Sequence, residues 1–299
     1  MPSLLDKRLI LVTGKGGVGK TTVAAALGLA AARRGKRVVL CEVAEQDRLT
    51  GMLDPVPDEG LHHVSVDPER AKEEWLRYQL KSRTLAGVLG GSRLFQYLTA
   101  AAPGLTELVT MGKIWDLAQL EPRTAGQRYD LAIVDAPATG HGLAMLQAPS
   151  TYASIAPVGP VGRHAERIDS FVRDPGKTGV LTVALPEEMP VNETVEFERA
   201  LRRELDMAID AIVVNALHPA RFKAEEVRRL EAGGGGSRVA RAALAAALSE
   251  HRRARAEHAQ LRRLRRAASA PVATLPRIFE PELGRDELER LSAELERRL

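Results

Sequence analysis

The chain has 299 residues, 44% hydrophobic, 27% charged and 4% aromatic, with a net charge of +4 and a pI near 9.3. That is an ordinary globular composition, long enough for one large α/β domain with an insertion or for two small domains. Cys41 is the one cysteine, which excludes an internal disulfide or a cysteine-built zinc site; aromatic residues are too few for base-stacking platforms, and the mild basic charge does not by itself imply a nucleic-acid partner. Residues 1–8 are too short and polar for a signal peptide, and no run approaches the ~18 apolar residues of a membrane span. A cytoplasmic protein is expected.

Residues 8–13 read as a strand, and an Ala-rich stretch at 20–34, closed by Gly35, reads as a helix. Between them lies Gly14-Lys15-Gly16-Gly17-Val18-Gly19-Lys20-Thr21. Strand, glycine loop and helix in the pattern G-x-x-x-x-G-K-[ST] make a P-loop. The glycines let the backbone bend so that successive N–H groups converge on phosphate oxygens. The helix N-terminus adds partial positive charge at the same place. The pattern predicts that residues 14–22, Thr22 included, bind nucleotide. Lys20 reaches the β- and γ-phosphates and the Thr21 hydroxyl holds Mg²⁺. The glycine pattern does not explain the second loop lysine, Lys15.

Residues 37–43 read as a strand buried on both faces. Residues 44–60, with Pro55, Pro57 and several carboxylates, read as loop, and 61–66 as a short strand. Residues 69–127 read as consecutive helices broken at Pro103-Gly104, hence a helical insert on an α/β core. Within it Leu105, Leu108, Val109, Met111, Ile114, Trp115 and Leu117 either pack into the core or line an apolar groove. Residues 129–135 form an apolar strand ending in Asp135, the Walker B arrangement, in which a carboxylate at the strand's end joins the Mg²⁺ shell beside the P-loop. Further strands are expected at 180–185, 211–215 and 271–276, a helix opening at 186–194, and a last helix at 284–299. Residues 232–237 form a Gly-rich turn. Residues 238–268 form an Arg-rich helix that is either a solvated face or a surface for acidic lipid, nucleic acid or an acidic partner. His251 and His258 on it lie two turns apart without further ligands and predict no metal site.

Together the motifs resemble a known family. The loop GKGGVGKT resembles the deviant P-loop of the MinD, ParA and ArsA superfamily of ATPases. The segment Asp135-Ala136-Pro137-Ala138-Thr139-Gly140-His141, with Leu143, Met145, Leu146 and Pro149 after it, resembles the switch II of the ArsA family. That family includes the arsenite-pump ATPase and the factor that targets tail-anchored membrane proteins. The resemblance runs from the P-loop to the last strand. It implies a single P-loop ATPase domain over 1–299, with a mostly parallel sheet flanked by helices and the insert at about 69–127. ATP and Mg²⁺ are the implied cofactors. A homodimer, or a heterodimer with a related ATPase subunit, is implied, in which Lys15 reaches the partner's nucleotide; the other reading of Lys15 is a solvated charge. Switch II senses the γ-phosphate and His141 is a switch residue. Glu187 contacts nucleotide or complements the helix dipole. Asn215 reads the adenine edge, and the loop from Pro276 covers the base.

Three departures from the family matter. The targeting factor's CxxC zinc clamp is missing after Asn215, where the chain reads Ala216-Leu217-His218-Pro219-Ala220-Arg221. Cys41 alone cannot form a thiolate arsenite site, which disfavours the pump. The family's water-positioning Asp of switch I falls on Ala44, flanked by Glu42, Glu45 and Asp47, and a shifted Glu45 takes its role in this reading. The stretch between Asp135 and Glu187 is also short for the family's client-binding insert. The leading reading is therefore an ATPase that couples hydrolysis to handling a protein client, an apolar one if the resemblance extends that far. The alternative is a nucleotide-binding regulatory subunit with little hydrolysis, paired with a related chain. A partitioning ATPase of the MinD or ParA kind is the third.

Overall fold

The apolar runs pair into one sheet. The computed structural model describes residues 3–43, 48–53, 60–72, 74, 104–119, 128–155, 158–233, 236–280 and 283–299. Within them β1 (Leu9–Gly14), β2 (Val38–Val43), β3 (Leu61–Val66), β4 (Leu131–Asp135), β5 (Thr178–Ala184), β6 (Ala211–Leu217) and β7 (Val272–Pro276) form a seven-stranded sheet of order β3-β2-β4-β1-β5-β6-β7. All neighbours are parallel. Parallel pairing requires crossover connections, so helices cover both faces and the central strands β1, β2, β4 and β5 are buried nearly throughout, without alternation. β1 and β5 are buried at every position.

One face carries α1 (Lys20–Arg33), α2 (Arg48–Leu53) and, from the far end of the chain, α9 (Arg285–Arg298). Ile10 and Val12 of β1 meet Val23, Leu27, Leu49, Leu288 and Leu295 there. The opposite face carries α3 (Leu105–Leu117), α4 (Thr139–Ile155), α5 (Pro160–Arg173) and α6 (Glu188–Leu205). Leu9 and Leu11 meet Met111, Ile114, Leu146, Ile168 and Phe197 on that side. This is an α/β P-loop fold with the sheet as its middle layer. α1 tolerates its enclosure because its small alanines, with Gly28 among them, let α9 and the sheet approach closely; Thr22 through Ala31 are all buried.

The structure differs from the sequence reading in one place and decides an open alternative in another. Part of the stretch expected as loop is helical, α2, because Leu49 and Leu53 lie one turn apart and both bury against the α1 face. A hydrophobic pair at that spacing is a weak signal until a partner surface exists to receive it. In the insert, the apolar residues of α3 from Leu105 to Leu117 are core residues, the first of the two readings. Most of the rest of the insert, 75–103 and 120–127, lies outside the described residues. After β6 come α7 (Ala224–Ala232) and α8 (Arg238–Ala267); residues 234–235 of the expected Gly-rich turn between them lie outside the described residues. Ser237 caps α8, its hydroxyl accepting the Ala240 N–H at 3.2 Å.

Candidate nucleotide site

The P-loop stands at the C-terminal end of β1, in the middle of the sheet, where open parallel sheets bind ligands. Two glycines show why the loop needs its sequence. Gly14 has φ +148°, and a Cβ there would run into the Val183 carbonyl of the neighbouring β5. Gly19 is the N-cap of α1 with φ +89°, a left-handed conformation, and a Cβ would strike the Asn215 amide. No side chain caps α1, so its first N–H groups face the loop. Lys20 Nζ donates to the Lys15 carbonyl at 3.2 Å and so holds its charge across the arch.

β1 and β4 are adjacent with Val12 opposite Asp135. That register carries the Walker B carboxylate to the first turn of α1, where the Thr21 hydroxyl donates to Asp135 Oδ2 at 2.6 Å. A hydroxyl and a carboxylate side by side are hard oxygen donors, the set that Mg²⁺ with a nucleotide takes. The chain turns away directly after Asp135: the Pro137 carbonyl accepts the Thr13 hydroxyl at 3.2 Å, and α4 starts at Thr139. His141 is exposed in its first turn.

Asn215 arrives from the other side. β6 has a register irregularity between Val214 and Leu217, and Ala216 takes φ +55°. A non-glycine residue in the left-handed region is uncommon and marks a backbone held for a purpose. Here it turns the Asn215 side chain toward the P-loop. Nδ2 donates to the Val18 carbonyl at 3.0 Å, and Oδ1 accepts the Ala216 N–H at 2.9 Å. Pro276 pairs with Leu217 at the end of β7, and the Arg277 N–H donates to the Leu217 carbonyl at 2.9 Å. Gly14, Lys15, Gly16, Gly17, Val18, Gly19, Lys20, Thr21, Thr22, Asp135, Asn215 and Pro276 thus all lie along the C-terminal edge of four adjacent or near-adjacent strands. Glu187 is the exposed N-cap of α6, its backbone extended and its side chain making no cap bond. Ala44 and Glu45 lie outside the described residues.

Sequence reasoning assigned no role to Glu193. Its carboxylate holds Lys15 Nζ at 2.5 Å from one turn inside α6. No local pattern announces this pair, because the partners are far apart in sequence. Glu42 is also better defined by structure: it is 2% exposed, stands opposite Asp135 in the sheet, and has His63 Nε2 3.4 Å from its Oε2. Cys41, beside it, is fully enclosed, and burial pushes its thiol up to about 12, the reverse of what a metalloid-binding thiolate needs.

Residues 7–157 match the family model described as anion-transporting ATPase. The chain belongs to that family. Curated relatives agree along more of the chain. ATPase BagA of Mycobacterium tuberculosis is 29% identical over 239 residues, covering 76% of this chain and 70% of the relative. ATPase GET3C of Arabidopsis thaliana is 25% identical over 275 residues, 73% of this chain and 69% of its own. The arsenical pump-driving ATPase of Escherichia coli is 27% identical over 285 residues, 95% of this chain but 44% of that protein. This member of the anion-transporting ATPase family is accordingly a nucleotide-binding ATPase. Among its described residues no helix is long and apolar enough to cross a membrane.

Proposed function

We propose that this ATPase binds MgATP between two subunits and couples its hydrolysis to a conformational change acting on a protein client or partner. The observation that carries the reading is the Thr21–Asp135 contact of 2.6 Å beneath the glycine arch. Thr21 and Asp135 would hold Mg²⁺ through nucleotide and water, and the ion would supply charge neutralisation at the phosphates. The loop N–H groups and the α1 N-terminus hold the phosphate oxygens. Lys20 stabilises charge on the transferring γ-phosphoryl group, and Lys15 serves the neighbouring subunit's nucleotide, in a homodimer or beside a related chain. Asn215 and the loop from Pro276 take the adenine end. Glu187, at the mouth of α6, meets the nucleotide or complements the helix N-terminus. Glu45 is the proposed orienter of the attacking water, with Glu42 as the alternative position.

The second reading, a regulatory subunit with little hydrolysis, is favoured by one observation: Ala44 stands where the family's water-positioning Asp is expected. Steady-state phosphate release from MgATP, with Lys20→Ala as blank, separates the two. Turnover well above the blank supports a self-sufficient site, and Glu45→Gln and Glu42→Gln then identify the orienting carboxylate. ATP binding without turnover would remove the first reading and leave the second.

A further inference from the structure

α7 and α8 form a helical hairpin that the nucleotide site does not use. α7 has no buried residue, and α8 buries only Ala254, Leu261 and Leu264, all in its second half. The root of the hairpin is fixed. Glu257 of α8 accepts both the backbone N–H and Nδ1 of His218, at 2.9 and 2.8 Å, and Arg221 pairs with Glu250 at 3.0 Å. Beyond that root the two helices enclose an open groove of about 820 Å³. Its floor is apolar: Phe222 and Leu230 on one side, and Ala240, Leu244 and Ala247 of α8 on the other. Positions 240, 243, 244 and 247 fall on one helix face and span about 10 Å, roughly two turns. Alanines there let a third helix approach closely, and Leu244 and Leu230 supply the relief into which its side chains would fit.

The lining of this groove is basic on balance, with Arg229 also paired to Glu225 on its own helix. Arg221, Arg229 and Arg241 line it, and Glu226 is the one lining carboxylate. Glu226 turns back on its own helix, accepting the Lys223 N–H at 2.7 Å. Arg238, Arg252 and Arg253 continue the basic surface along α8. We propose that the α7–α8 groove is a docking site for an amphipathic helix of a partner protein, one that carries a leucine-type stripe flanked by carboxylates. Two helices with a half-covered apolar seam are completed by a third, and the arginine rim selects the acidic flanks. This surface stands apart from the P-loop edge, so the inference does not depend on the hydrolysis reading.

The test uses the full chain without nucleotide and three fluorescein-labelled helical peptides of about 18 residues. The first repeats leucines at i, i+3, i+4 and i+7 with glutamate flanks. The second is a scramble of the same composition, and the third replaces each glutamate by lysine. Fluorescence anisotropy should show the acidic amphipathic peptide binding at least about tenfold more tightly than the other two. Leu244→Glu should weaken it by a similar factor. Arg229→Glu with Arg241→Glu should transfer the preference to the lysine peptide. All these positions are exposed or half-buried, and unchanged circular dichroism and phosphate release would confirm an intact fold. Equal affinity for the first two peptides, or indifference to Leu244→Glu, would overturn the proposal. So would a nucleotide-free dimer that Leu244→Glu dissociates, since the occupant would then be a second copy. Leu244-dependent binding to phosphatidylglycerol vesicles without peptide binding would assign the groove to lipid instead.

Discussion

The Lys15–Glu193 pair makes a quantitative prediction about assembly. Within one subunit Lys15 is held on Glu193, and in the proposed dimer it serves the other subunit's nucleotide. The intrachain pair must then open on assembly. Its side chains keep 35% and 30% exposure, so water screens them and the pair contributes only about 0.2–1 kcal/mol. A symmetric dimer opens two pairs, about 0.4–2 kcal/mol in all, or roughly a twofold to thirtyfold change in the dimerisation constant. Glu193→Gln removes the holding charge and should strengthen nucleotide-dependent dimerisation by that factor. Lys15→Ala should weaken it. Sedimentation velocity with a non-hydrolysable ATP analogue reads both. Added salt should narrow the gap between Glu193→Gln and the unmodified chain, because it weakens the same pair. If Glu193→Gln leaves dimerisation unchanged, the pair does not gate Lys15. If it weakens dimerisation as Lys15→Ala does, Glu193 acts in the dimer contact itself and the holding argument fails.

Gly19→Ala should cost about 1–2 kcal/mol of stability for its left-handed backbone and displace the Asn215 amide, weakening ATP binding by about tenfold or more; thermal melts and nucleotide titration read the two effects, and normal ATP affinity would refute the contact's importance. Cys41 should not react with a disulfide reagent at pH 8 in the native chain, since its thiol titrates near 12, and should react fully in guanidinium. The Asp130 carboxyl lies below its usual range because it accepts the Arg37 backbone N–H at 2.8 Å. A depressed native value adds stability above the unfolded value of about 3.9 and loses it as pH falls. Asp130→Asn should therefore cost under about 1 kcal/mol at pH 7, and the difference from the unmodified chain should shrink in acid unfolding as pH falls below about 3.9.

The sheet was legible because a parallel strand, buried on both faces, writes itself as an unbroken apolar run; residues 37–43 and 129–135 are such runs, and β2 and β4 fall on them. The P-loop was legible for a different reason: phosphate binding needs glycines at set spacing, and the required left-handed backbone at Gly19 leaves few substitutes. Strand order was not legible. Nothing local says that β4 inserts between β1 and β2, yet that insertion is what brings Asp135 to Thr21. The same holds for Asn215, whose side chain reaches Val18 only because Ala216 adopts φ +55°. Alanine has no sequence preference for that conformation; the turn is imposed by the strand's surroundings.

Glu42 brings these threads to the chemistry. By sequence it is one of three carboxylates flanking Ala44, and a carboxylate inside a strand is usually read as a solvent-facing position. The parallel register instead sets it opposite Asp135, 2% exposed, with His63 from β3 beside it. Burying a carboxylate costs several kcal/mol unless its surroundings supply hydrogen bonds or charge. A stability role alone would be met better by another valine. Glutamine keeps the side chain's shape and its acceptor oxygen while removing the charge. If Glu42 only braces His63, Glu42→Gln should leave phosphate release near normal and shift the melting temperature. If Glu42 supplies what Ala44 lacks, the same variant should bind ATP normally and lose turnover by a factor approaching that of Lys20→Ala.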